Sequence, residues 1–275
     1  MKRILVPTDF SKIAENALKS AAKMASKFNA DIYLLHMLDL PLHLVDPVLK
    51  SSENVPEALY FMKLAHQQFS KIKDMDFLKG LNIYESVQFN YAFKGITEFA
   101  KNNDCDLIVM GSHGSTGFEE MFIGSNTEKV VRQSEIPVFV VKKEISDINI
   151  KNFVLATDAD LDNKKSLLKA VEFAKLFETD LHLLFVNTPN NFTTTKQAYA
   201  DLEEFLEEIK LKDIKKHIYN DVSIEKGILN FAEKYNADVI GIITHGRKGL
   251  SHFFNGSISE DLINHATRPV ITFKL

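Results

Sequence analysis

The chain has 275 residues, 45% of them hydrophobic and 25% charged, with a formal net charge of −4. That length can bury one large core or two ordinary ones, and the slight acidity gives no global positive field for nucleic acid or an anionic membrane. A single cysteine, Cys105, excludes an intrachain disulfide framework and a cysteine-based zinc cluster, and suits a reducing cytoplasm.

In chain order, Arg3 to Val6 reads as a short buried strand broken by Pro7-Thr8-Asp9, too soon for the apolar core of a signal peptide. Ser11 to Phe28 carries Ile13, Ala17, Leu18, Ala21, Met24, Ala25 and Phe28 at helical spacing, with Ser11 as N-cap and Glu15 near the positive end of the helix dipole. Ile32 to Leu38 reads as a strand, Leu42 to Val55 as a proline-flanked loop, and Pro56 to Leu78 as a long surface helix. Tyr84 to Phe89 (strand), Gly95 to Asn102 (helix), Leu107 to Met110 (strand), Ser125 to Gln133 (helix) and Val138 to Val141 (strand) follow. Such alternation of continuous apolar strands with helices predicts a mostly parallel sheet covered on both faces. No apolar run approaches the roughly 20 residues of a membrane span, so a soluble, cytoplasmic protein is expected.

The same order then repeats. Lys2 to Met37 aligns with Lys151 to Val186 at an offset of 149 without a gap, and Gly95 to Pro137 aligns with Gly227 to Pro269 at an offset of 132. Shared glycines at shared spacing, Gly114/Gly246 and Gly124/Gly256 among them, exceed what two unrelated α/β units would produce by chance. Two domains are expected, 1–143 and 150–275, joined within Lys142 to Ile150. A second long helix is expected over Phe192 to Leu211.

Ligands of doubly wound sheets sit beyond the carboxyl ends of the strands, which directs attention to Pro7-Thr8-Asp9 and to the segment Gly111 to Ser125. The latter reads Gly111-Ser112-His113-Gly114, nine residues, then Gly124-Ser125-Asn126-Thr127 at a helix start. Glycines let backbone N–H groups approach phosphate oxygens, Ser125 and Thr127 supply hydroxyls, and the helix N-terminus favours an anion.

This G-x2-G-x9-G-[S/T] pattern, with strands ending in Pro-Thr-Asp and His36-Met37-Leu38-Asp39, resembles the ATP-binding branch of the universal stress protein family, over both halves of the chain. The resemblance implies two Rossmann-like, adenine-nucleotide alpha-hydrolase-like domains, each with a five-stranded mostly parallel sheet flanked by helices. It implies ATP held by Pro7, Thr8, Asp9, Met37, Gly111, Gly114, Gly124, Ser125, Asn126 and Thr127. Asp9 would lie near the ribose or adenine, and the Met37 backbone against the adenine edge. Magnesium or manganese would arrive with the nucleotide, since no dedicated carboxylate cluster is readable. It also implies pairing of the final strands, Val138 to Val141 with Val270 to Phe273, as an intramolecular pseudo-dimer, with further homodimerisation plausible.

The second copy departs from this pattern. Thr157, Asp158, Gly246, Gly256 and Ser257 persist as a possible second site, but Ile243 replaces the first glycine and Ala156 the proline. A β-branched side chain at 243 should crowd a phosphate, while Arg247 and Lys248 offer compensating charge; a degenerate site is expected. His113 and His245 have no placed acid or nucleophile partner, His36 reads as a satisfied buried histidine, Glu119 and Glu120 as a solvated edge, and Cys105 as a core residue. There is no P-loop lysine, kinase signature or nucleophile elbow, and no catalytic residue is assigned. The expectation is a regulatory nucleotide-binding protein; a slow ATPase or a scaffold without nucleotide are the alternatives. No protein partner is readable.

Overall fold

The computed structural model describes residues 1–38, 55–89, 91–112, 123–145, 147–207, 209, 214–244 and 256–274. The first half supplies strands β1 (Arg3–Pro7), β2 (Asp31–Leu38), β3 (Ile83–Phe89), β4 (Leu107–Gly111) and β5 (Val138–Val141). Its helices are α1 (Lys12–Phe28), α2 (Val55–Lys73), α3 (Ala92–Asn102) and α4 (Ser125–Gln133). The second half supplies β6 (Asn152–Ala156), β7 (Asp180–Asn187), β8 (Lys215–Asn220), β9 (Val239–Thr244) and β10 (Val270–Lys274), with α5 (Lys164–Phe177), α6 (Thr195–Leu206), α7 (Ile224–Lys234) and α8 (Gly256–His265).

The strands form one sheet in the order β3-β2-β1-β4-β5-β10-β9-β6-β7-β8. Within each half every pairing is parallel, so each half is the expected doubly wound unit. Chain direction across the sheet reverses between β1 and β4, and right-handed crossovers then put α1 and α2 on one face and α3 and α4 on the other. The expected pairing of final strands is present: β5 and β10 run antiparallel, with Phe139 opposite Ile271 and Val140 opposite Val270. Phe139 and Ile271 are equivalent residues of the two copies, so a pseudo-two-fold axis passes through that pair.

Other equivalent residues meet about this axis. Phe28 and Phe177 pack edge to face with ring centroids 4.8 Å apart, and the Lys27 ammonium lies 5.2 Å from the centre of the Phe177 ring. On the opposite face, Lys142 donates to the backbone carbonyl of Asn264, and its counterpart Lys274 donates to the Arg132 carbonyl. A lysine at or just past the end of each copy's last strand thus caps a C-terminal carbonyl of the other copy's last helix, where a cation is favoured. The duplication extends to backbone dihedrals. Left-handed residues recur in pairs: Phe10 with Ala159, Asn29 with Glu178 and Asp104 with Asn236.

Local signals explain most element ends. Ser11 Oγ accepts the Ala14 N–H, and Asn29 closes α1 in the left-handed conformation. The expected helix over 56–78 divides into α2 and a short 3-10 turn, Asp76–Leu78, because Met75 between them is extended. The expected helix from Phe192 starts later, at Thr195. Asn187 holds Thr193 by two hydrogen bonds, its Oδ1 accepting from the backbone N–H and its Nδ2 donating to the carbonyl. Thr194 then caps α6. Helix α3 begins three residues before Gly95. The loop expected over 42–55, apart from Val55, lies outside the described residues. Cys105 is buried, and burial pushes its thiol up to about 11, as a core residue requires.

Candidate ligand cleft at the switch point

At the carboxyl ends of β1 and β4 the chain leaves in opposite directions, and the gap between them opens a cleft of about 290 Å³. Pro7, Thr8, Asp9, Met37, Gly111, Gly124, Ser125, Asn126 and Thr127 all line it, bringing together residues more than one hundred positions apart in sequence. Gly114, His113, Glu119 and Glu120 lie outside the described residues, as do Asp39, His245, Gly246, Arg247 and Lys248. The apolar wall, which sequence reading missed, comes from Ala14, Leu35, Ala92, Ile96 and Met110.

One end of the cleft is shaped by the strand β2. The Leu35 carbonyl accepts the Thr8 N–H at 2.8 Å, the last rung between β1 and β2. Two residues on along an extended strand, the backbone faces the same neighbour again. Met37 therefore presents its N–H and carbonyl to the space that β1 has vacated. His36 Nδ1 donates to the Thr8 carbonyl at 2.8 Å, a bond that requires the proton on Nδ1, and the ring packs against Phe10 with centroids 4.5 Å apart and the planes tilted by 38°. The histidine is thus satisfied, as expected, but it is half-buried and forms part of the cleft wall. Phe10 holds a left-handed backbone, φ 65°, which costs energy for a bulky residue. The Thr8 Oγ1 stabilises that turn by accepting the Phe10 N–H, and Asp9 Oδ1 accepts the Ser11 N–H. Asp9 itself is exposed at the cleft edge.

The other end is the N-terminus of α4. Gly124 is its N-cap and brings no side-chain cap to the first-turn N–H groups, and Gly124 to Thr127 line the cleft, so an uncapped helix start of the kind that favours an anion borders it. Ser125 and Asn126 are exposed there, whereas Thr127 is buried. The Thr127 hydroxyl donates to the Gly111 carbonyl at 2.9 Å, so its proton fastens the helix to β4. Gly124 N–H donates to the Ser112 carbonyl at 2.7 Å, closing the two ends of the segment that separates them. No lysine or arginine is among the described lining residues. Among the described residues no three His, Cys, Asp or Glu side chains converge to hold a metal ion.

Gly111 also has a packing role that its motif does not suggest. A Cβ built there would lie 2.4 Å from Ile13 Cγ2 and 3.1 Å from the Ile13 carbonyl; the missing side chain lets the first turn of α1 sit on β4. In the second copy Ile243 takes this position, fully buried. There the corresponding turn is a 3-10 segment, Leu161–Asn163, and α5 starts only at Lys164. At the position where Gly111 admits the first turn of α1, the second copy thus carries a buried isoleucine and a later helix start. Two other small lining residues also have larger counterparts: Ala14 becomes Asn163 and Ala92 becomes Ile224. Asn163 is fully buried and its Nδ2 donates to Asp158 Oδ1 at 3.3 Å. Asp158 also accepts the Asp160 N–H, and Thr157 Oγ1 accepts the Ala159 N–H. For Gly256 and Ser257 the structure gives only their place at the start of α8.

A doubly wound sheet with a cleft at the β1/β4 switch point, duplicated about an internal pseudo-dyad, places the chain in the class of tandem Rossmann-like α/β proteins. The model of the universal stress protein family matches residues 1–142 and again 149–274, and the chain belongs to that family. A universal stress protein of Methanocaldococcus jannaschii is 34% identical over 142 residues, covering 52% of this chain and 82% of the relative. One from Synechocystis sp. is 26% identical over 295 residues and covers 100% of both chains. The crystal structure of a universal stress protein from Archaeoglobus fulgidus matches with a TM-score of 0.68 at 23% identity, covering 99% of this chain and 98% of that one. The tandem fold is shared from end to end.

Proposed function

We propose that the first domain, 1–143, binds ATP as a regulatory nucleotide and that the second, 150–275, is its degenerate partner. The observation that carries this reading is the pairing of two backbone features at opposite ends of one cleft. The Met37 N–H and carbonyl match the hydrogen-bonding edge of adenine, and the free N–H groups at the start of α4 match phosphate oxygens. Between them Pro7, Thr8 and Asp9 border the ribose side. Ser125 and Asn126 meet the phosphates, joined by Gly114 from the sequence pattern, while Gly111, Gly124 and Thr127 hold the cradle in shape. When bound, magnesium or manganese would supply charge neutralisation that the described lining residues lack. In this reading the nucleotide serves as a bound switch that biases one conformation by differential affinity.

The larger residues at three second-copy positions, Asn163, Ile224 and Ile243, support a second site around Thr157, Asp158, Gly246, Gly256 and Ser257 that takes no ATP. The test is to denature the purified protein, identify released nucleotide by chromatography, and record thermal shifts with ATP and magnesium. Ligand at 100 times its dissociation constant stabilises its domain by about 2.7 kcal/mol. Wild type and Gly246→Val should show that stabilisation, and Gly114→Val should not. A shift abolished by Gly246→Val alone would move the site to the second domain, and no shift in any form would remove nucleotide from the function.

A further inference from the structure

Helix α8 belongs to the second domain, yet one of its side chains reaches the residue just before the helix start that borders the first domain's cleft. The Asn264 Oδ1 accepts the backbone N–H of Ile123, the residue before the Gly124 cap of α4. The Asn264 carbonyl accepts from Lys142 Nζ, one residue beyond Val141, whose own carbonyl accepts the Ser112 N–H at 3.0 Å. Ser112 in turn receives the Gly124 N–H. The chain of bonds is closed: Asn264 spans Lys142 and Ile123, and Ser112 joins Val141 to Gly124. Ile123 is 8% exposed, so its N–H has little access to water and losing its acceptor there is costly. Burial also lowers the Lys142 pKa, as a lysine enclosed at a domain joint would show.

The contact is not a symmetric by-product of the pseudo-dyad. The counterpart of Asn264 in the first copy is Arg132, which turns its guanidinium to Glu128 on its own helix, 3.4 Å away. The reciprocal lysine caps are kept on both sides; the asparagine contact to the residue before the cap is made by the second domain.

We infer that Asn264 is a positioning residue through which the second domain sets the N-terminal turn of α4, and with it the affinity of the first domain's cleft for a polyphosphate. The ligand half of this inference rests on the ATP reading above; the structural half does not. Because coupling between sites is reciprocal, ATP in the first domain must also tighten α8 in the second.

The experiment compares wild type, Asn264→Leu and Asn264→Asp, since aspartate keeps an oxygen acceptor at the same reach and leucine does not. Amide exchange of Ile123 and Gly124 is measured without nucleotide, ATP–magnesium affinity by calorimetry, and overall stability by thermal melting. Leucine should speed exchange at Ile123 and Gly124 and weaken ATP roughly three- to tenfold, and aspartate should restore most of both. ATP should slow exchange in α8 of wild type and lose that effect in the leucine variant. Unchanged exchange at Ile123 in the leucine variant overturns the clamp, whether or not ATP binds. Faster exchange with equal ATP affinity in all three proteins overturns the coupling. A wild type that binds no ATP sinks the nucleotide reading, while the exchange comparison still decides the clamp.

Discussion

Gly111 shows how a single motif position can serve two needs. Its carbonyl anchors the Thr127 hydroxyl, and its bare Cα admits Ile13 of α1. Gly111→Ala should therefore destabilise the protein by about 1–3 kcal/mol through overpacking, seen as a lower urea midpoint. Adding Ile13→Ala should recover part of the loss. If the single variant melts like wild type, the close approach has no energetic weight. The glycines and the Pro-Thr-Asp turn were legible in the sequence because few residues tolerate such sites. Ala14 and Ala92 were not, since alanine is the commonest filler of a helix and only the cleft shows which alanines must stay small. The commitment of the Thr127 proton was hidden for a similar reason: two hydroxyls in one helical turn look alike until their partners are placed.

Among the elements, β7, β8 and α7 enclose the one pair of histidines seen in ring contact among the described residues. His182 Nδ1 and His217 Nε2 lie 3.1 Å apart, with the rings stacked at 5.1 Å and Tyr235 against both. Lys215 on β8 and Lys234 at the end of α7 add positive charge, and Asp180 on β7 offsets part of it. Burial first, then each histidine's neighbouring charges, lowers both pKa values, that of His217 to about 4. The unfolded chain thus binds protons at a higher pH than the folded one, so stability present above pH ~6.5 falls as pH drops toward about 4 and levels off below. Denaturant midpoints between pH 7 and 4 should slope downward, and His217→Leu should flatten the slope. An equal slope in both proteins would assign the acid sensitivity to other groups. Element identity and order followed from hydrophobic period, but the ends of α2 and α6 did not. They are set by the extended Met75 and by the Asn187 bonds to Thr193, tertiary details that a periodic pattern does not carry.

For the whole molecule the decisive feature is the β5–β10 joint. Phe139, fully buried on the pseudo-axis, supports both halves at once, so wild type should unfold in one calorimetric transition. Phe139→Ala should cost about 3–5 kcal/mol and separate the melting of the halves into two steps. One sharp transition in the variant would mean that the halves are held together elsewhere. The repeat was readable in the sequence itself, and this joint was implied by the family resemblance, in keeping with the need to cover the edges that two final strands leave. The one-sided reach of Asn264 was not, since it arises from a position where the copies differ. Joining the copies in one chain also removes a constraint. Two identical subunits meeting at this edge would carry every substitution in duplicate, exchange partners, and separate on dilution. Here the stoichiometry is fixed at synthesis, so Ile243 and Asn163 alter one half while Gly111 and Ala14 remain in the other. The tandem chain is thus a pair of related halves that cannot exchange, and that permanence lets their sequences diverge independently.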